Sequence, residues 1–214
     1  MTAERESELQ VLNGEVSVCT LCDLSTTRKR AVPGEGPVDA EIMFIGEGPG
    51  FNEDQQGRPF VGPAGRLLNE LLASIGMQRS EVYITNVVKC RPPENRDPTG
   101  VEIGACNPYL DRQLATIDPR LVVTLGRFSM AKFFPGVTIS RIHGQPKKAG
   151  GRIYFPMFHP AAALRSPDTM GKAKADMLKI PALLAEARQM PASEGEAAHA
   201  AVEDAPRQLG LFDL

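Results

Sequence analysis

Ile42-Met43-Phe44-Ile45 runs without a polar break into Gly46-Glu47-Gly48-Pro49-Gly50, and residues 64–75 then carry Leu67, Leu68, Leu71, Leu72 and Ile75 at helical spacing. Four consecutive apolar side chains fit a strand buried on both faces. The glycines and proline end it, and the 3.6-residue period that follows marks a helix packed back on the sheet. The same order recurs outward from this stretch. Residues 82–85, 121–125 and 153–158 are three more apolar runs, and helical patterns follow at 101–117, 127–134 and 169–187. Strands alternating with helices predict an α/β domain with a mostly parallel, four-stranded sheet. Ligands of such sheets sit outside the carboxyl ends of the strands, so residues 46–50, 86–91, 126–127 and 159–165 are where chemistry is expected.

The chain has 214 residues, enough for one domain with a sizeable core. No run of 18 apolar residues is present, and the charged N-terminus, Met1-Thr2-Ala3-Glu4-Arg5-Glu6, leads into no apolar segment of a secretory signal. A cytoplasmic protein without membrane contact is the expectation. The net charge is −2, but residues 191–214 hold five acids and one base, which leaves 23 bases and 21 acids, or +2, for residues 1–190. So weak a charge argues against a protein that coats nucleic acid by electrostatics alone. It is compatible with a few phosphate contacts around one deep contact.

Cys19, Cys22, Cys90 and Cys106 are the only cysteines, arranged as C-x2-C, a long gap, and C-x15-C. The first spacing lets two thiolates face one metal centre, and a loop with a helix start would bring in the second pair. Four soft thiolates suit zinc or an iron–sulfur cluster, and the spacing does not choose between them. Two disulfides or unrelated buried thiols are the plainer readings, the first disfavoured in a cytosolic chain.

Each strand end carries one side chain of interest. Glu47 is a carboxylate at the mouth of the sheet, either a helix-capping or solvated acid or a water-orienting base. Phe60, set in Gly57-Arg58-Pro59-Phe60-Val61-Gly62, is either core packing or a platform for a planar ring. Asn86 is either a turn residue or an amide matched to a pyrimidine edge. His159 is either a satisfied structural histidine or, when neutral, a donor to a developing oxyanion. The glycine loop lacks the lysine of a phosphate-binding P-loop and the spacing of a dinucleotide fingerprint.

Taken in order, the C-x2-C of Cys19 and Cys22, GEGPG at 46–50, GRPFVGPAG at 57–65, TNVVKCRPPENRDP at 85–98, Cys106 and HPAAALR at 159–165 resemble the family 4 uracil-DNA glycosylases. These are the iron–sulfur members of the uracil-DNA glycosylase superfamily, and the likeness covers about residues 17–188. It implies a three-layer α/β/α fold and a [4Fe–4S] cluster on Cys19, Cys22, Cys90 and Cys106. It implies a monofunctional enzyme that flips deoxyuridine out of single- or double-stranded DNA and hydrolyses its glycosidic bond. In that reading Glu47 positions water, Phe60 stacks on uracil and Asn86 reads its edge. Gly48 and Pro49 shape the pocket floor, and His159 stabilises charge on uracil O2. Leu164 or Arg165 fills the gap in the duplex. Glu47 stands where other branches of the superfamily carry Asn, Asp or Gln. No histidine lies between Asn86 and His143, where relatives that trap uracil covalently carry one on an insertion, so covalent trapping is not expected.

Domain organisation follows: residues 1–190 form the glycosylase domain and 191–214 a disordered, Ala- and Glu-rich tail. The tail ends in Gln208, Leu209, Leu211 and Phe212, which resemble the short peptides that bind the bacterial sliding clamp. A frayed end or a segment packed on its own domain would read the same way. A monomer is expected. The rival readings are a non-catalytic metal protein that binds nucleic acid, with no use for Glu47, Asn86 and His159, and a metal-stapled nucleotide-binding enzyme.

Overall fold

The computed structural model describes residues 2–191, so the tail and its Gln208–Phe212 peptide lie outside the described residues. All four apolar runs become strands: β1 (Ile42–Gly46), β2 (Tyr83–Asn86), β3 (Leu121–Leu125) and β5 (Arg152–Met157), with β4 (Lys147–Ala149) before the last. The sheet order is β2-β1-β3-β5-β4. The first four strands are parallel and β4 pairs antiparallel with β5. The sheet therefore has five strands where the apolar pattern predicts four. Lys147-Lys148-Ala149 is exposed along its whole length, so it has no apolar signal to read. It covers the free edge of β5 with lysines, a common protection of an exposed edge.

Helices fill the connections: α1 (Thr2–Val18), α2 (Leu24–Thr27), α3 (Phe51–Gln56), α4 (Pro63–Ser74), α5 (Gly100–Ile117), α6 (Arg127–Phe133), α7 (Ile139–Ile142), α8 (Pro160–Ala163), α9 (Pro167–Met177) and α10 (Ile180–Gln189). Alternation along β1 shows how they form layers. Ile42 and Phe44 point into one core with Leu68 and Leu72 of α4, Met177 of α9 and Leu184 of α10. Met43 and Ile45 point into the other with Leu12 and Val16 of α1 and Leu110 and Leu114 of α5. Both faces of the sheet are covered, the reason its strands read as nearly continuous apolar runs. The result is the three-layer α/β/α arrangement. Among the described residues no helix is long and apolar enough to cross a membrane.

One local expectation changes, and one element appears where none was predicted. The helical pattern at 169–187 is two helices, α9 and α10, because Pro181 lacks the N–H and carries a ring that an unbroken helix cannot accept there. The charged N-terminal stretch is a helix, α1, with Leu9, Leu12 and Val16 buried. The Arg5 guanidinium donates to the carbonyls of Thr116 and Ile117, which docks α1 on the end of α5.

Candidate active site

The register of the sheet builds the site. Gly46 pairs with Asn86 across β1 and β2. The ladder continues past the strand ends, where Val87 N donates to Gly46 O at 3.0 Å and Val88 N to Glu47 O at 3.1 Å. The two loops that follow the strands are thus fixed side by side. A Cβ at Gly46 would stand 2.3 Å from Asn86 Oδ1 and 2.7 Å from Cε2 and Cζ of Phe60. Only a glycine there lets these two side chains meet over the strand end. Asn86 is buried, and its Oδ1 has no hydrogen-bond partner among the described residues. A buried amide oxygen without a partner costs on the order of 1–3 kcal/mol, which a ligand donor would recover.

Phe60 is buried with φ +50°, a left-handed conformation uncommon for a non-glycine residue. Its surroundings hold it there. Glu53 Oε1 accepts from Val61 N at 2.9 Å and Gly62 N at 2.8 Å, while its Oε2 accepts from Gly50 N at 3.1 Å. One carboxylate therefore ties the Phe60 loop to the Gly46–Gly50 loop. Arg79 donates to Pro59 O at 2.5 Å and Phe60 O at 3.2 Å from outside. Gly65 lets α4 pass, since a Cβ there would fall 1.8 Å from Phe60 O. Glu53 and Arg79 were not singled out in the sequence. An acid three residues after a glycine loop is a capping signal that could have pointed to Glu53.

His159 lies at the start of α8 with its ring stacked on Phe60, centroids 5.5 Å apart and planes 26° from parallel. Its Nδ1 accepts from Ala161 N at 3.1 Å, which leaves the ring proton on Nε2. Burial pushes its pKa down to about 4, against a smaller opposing pull from Glu53. The imidazole is therefore a neutral donor at neutral pH. Glu47 is half-buried, and burial raises its carboxyl above the usual carboxylate range. The charge of Asp97 adds to that rise and Arg127 opposes it. Gly48 and Pro49 follow in the same loop, Gly48 against Val88 and Pro92.

Leu164 and Arg165 both lie at the surface just beyond α8, the Leu164 side chain 49% exposed although apolar. His143 is elsewhere, with Nδ1 2.7 Å from Oδ2 of the buried Asp176 and its ring against Phe158.

The four cysteines come together on the far side of the β2 loop, lining one recess with Val16, Arg28 and Tyr109 among its walls. All four are free thiols. Among the described residues no group of three or more His, Cys, Asp or Glu side chains is arranged to hold a single metal ion. Arg28 Nη1 donates to Cys90 Sγ at 3.1 Å and Lys89 N to Cys106 Sγ at 3.3 Å. Burial pushes the Cys90 thiol up to about 11, against the pull of Arg28, and raises that of Cys106. Buried thiols of this kind ionise only beside positive charge, which a metal centre supplies.

The model of the uracil DNA glycosylase superfamily matches residues 33–184, from the loop before β1 into α10. The chain belongs to that superfamily. Its similarity is strong to proteins named type-4 uracil-DNA glycosylase. It is 48% identical over 182 residues to that of Sulfurisphaera tokodaii, covering 80% of this chain and 83% of the relative. It is 47% identical over 175 residues to that of Archaeoglobus fulgidus (78% and 88%) and 46% over 165 residues to that of Thermotoga maritima (76% and 86%). A type-5 uracil-DNA glycosylase of Pyrobaculum aerophilum is more distant, at 31% over 150 residues.

Proposed function

We propose that the chain is a DNA-repair hydrolase that removes uracil from DNA, and that Glu47, Phe60, Asn86 and His159 are its working side chains. The observation that carries the assignment of roles is His159. Its Nδ1 is occupied as an acceptor, so Nε2–H is the free donor, and burial keeps the ring neutral. Cleavage of the N1–C1′ bond leaves the bonding electrons on uracil and positive charge on the sugar. A neutral imidazole N–H aimed at O2 stabilises that anion without having to lose a charge of its own. Such a preorganised donor contributes roughly 3–4 kcal/mol in comparable oxyanion sites. Water adds its oxygen to C1′, Glu47 orients it and takes up its proton, and uracil leaves as the anion to be protonated in solvent.

Reaching the glycosidic bond requires the nucleotide to leave the stack, which costs a few kcal/mol and least in single-stranded or mispaired DNA. Phe60 would stack on the extruded ring. The unpaired Asn86 amide oxygen suits the N3–H of uracil, which cytosine lacks. The walls beside Glu47, with Gly48 and Pro49 beneath, would exclude the thymine methyl. Leu164 and Arg165, at the surface beyond His159, would fill the gap in the duplex.

Cys19, Cys22, Cys90 and Cys106 would hold a [4Fe–4S] cluster, whose role in this reading is to cross-link α1, the β2 loop and α5. The donor set fits, being four unpaired thiols around one recess with two N–H···S donors already in place. A single-domain, monomeric enzyme of the cytoplasm, joined to a sliding clamp through Gln208, Leu209, Leu211 and Phe212, completes the proposal.

The test is incubation with a uracil-containing oligonucleotide followed by alkali, which cuts at abasic sites. Cleavage by the wild type and strong loss in Glu47→Ala and His159→Ala is the expected result. No cleavage by protein with its cluster intact would sink the catalytic reading.

A further inference from the structure

Just outside the pocket, the residue that follows the Gly46–Gly50 loop is an aromatic with no core to enter. Phe51, the first residue of α3, is 57% exposed. The Arg91 guanidinium lies 5.3 Å from the centroid of its ring. Arg91 comes from the loop after β2, and its Nε is fixed by Asn95 Oδ1 at 2.8 Å. Glu94 and Asn95 hold that loop in a tight turn at φ +54° and +57°. The two loops are tied by the Gly46–Val87 and Glu47–Val88 backbone bonds, and a Cβ at Gly48 would lie 3.8 Å from Pro92. An exposed ring and a partly ordered cation are thus held together beside the loop of Gly48 and Pro49.

Leaving a ring of this size in water forgoes the stabilisation that burying it would bring. Exposed aromatics paired with arginine are the recurrent surface for single-stranded nucleic acid, because every base has a stackable face and every nucleotide a phosphate. We propose that Phe51 and Arg91 form a second nucleobase platform. It takes the base next to the excised uracil on the same strand, Phe51 stacking on that base and Arg91 contacting its phosphate. Phe60 and Phe51 would then grip consecutive nucleotides, one inside the pocket and one at its lip. The inference rests on the uracil-excision reading.

The test uses the full chain and single-stranded oligonucleotides carrying one uracil, with a stable abasic analogue replacing the 5′ or the 3′ neighbour in turn. Wild type, Phe51→Ala and Phe51→Trp are compared by kcat/KM, with cluster absorbance and melting temperature as controls. Loss of a stacked base by alanine substitution is expected to lower kcat/KM by roughly five- to a hundredfold on the intact strand. Phe51→Trp should retain activity, and at one flank the abasic analogue should abolish the difference between wild type and Phe51→Ala. Equal activity of Phe51→Ala and wild type, or an equal loss on every substrate, overturns the platform while uracil excision stands. A wild type inactive on all strands overturns both.

Discussion

Asn86 and Cys90 are four residues apart, yet they belong to regions held together on opposite terms. The pocket is finished by protein alone. Glu53 takes three backbone N–H groups, Arg79 two carbonyls, and Gly46 and Gly65 clear the space, so that Phe60 and His159 are in place before any ligand arrives. The cysteine recess has no such brace. Cys90 and Cys106 are buried thiols raised in pKa, and each receives one N–H donor, from Arg28 and from Lys89. Preorganised dipoles are what charge stabilisation in a transition state requires. A metal centre brings its own charge and bonds, so the protein has only to present sulfur. Lys89 joins the regions, with its buried Nζ 2.6 Å from Asn86 O and Thr85 Oγ1 and 2.7 Å from Gln113 Oε1, while its backbone N faces Cys106.

If the two regions are separable, pocket variants change rate at constant cluster absorbance. The largest expected effect is His159→Ala, a loss of about 10²–10³ in kcat with the band near 400 nm unchanged. A coincident loss of that band would join the two regions and break the contrast. Glu53→Gln keeps the shape but removes the charge that three N–H groups share. About ten- to a hundredfold loss in kcat/KM is expected from weakened charged hydrogen bonds, again at full absorbance. Cys106→Ser should do the reverse. The band disappears and the melting temperature falls by roughly 2–4 °C per kcal/mol lost, while protein that remains folded keeps measurable turnover.

The smallest effects are those of pH. Activity in this reading needs Glu47 ionised and His159 neutral, so both fail as pH falls. Because Glu47 is raised, the acid limb of kcat/KM should lie above the usual carboxylate range, and Glu47→Gln should remove it from whatever activity survives. His159 binds its proton near pH 4 when folded and near 6.5 when unfolded. The unfolded chain therefore holds the extra proton across that window, and stability declines as pH drops from about 6.5 to 4. Denaturant titrations of His159→Asn should show a flatter profile across the same window.

Much of this is legible in the sequence. Residues 42–45 and 121–125 read as buried strands because helices cover both faces of the sheet, and every position in them but Thr124 is apolar. Glu47, Asn86 and His159 drew notice because strand ends of a parallel sheet are where ligands bind. β4 was not legible, since an exposed edge strand of two lysines and an alanine carries no burial signal. α1 is not legible because three buried side chains, Leu9, Leu12 and Val16, are diluted by charge.

By itself the sequence determined the α/β class, the four principal strands and the short list of polar residues at their ends. Those depend on local composition and period, which a linear pattern records. Only the tertiary structure decided that Glu53 braces two loops, that Phe60 is held at positive φ beneath Gly65, and that Ala161 fixes the tautomer of His159. It alone placed Phe51 under Arg91. Each of these is a contact between segments brought together by the fold, set by distances that no spacing along the chain encodes.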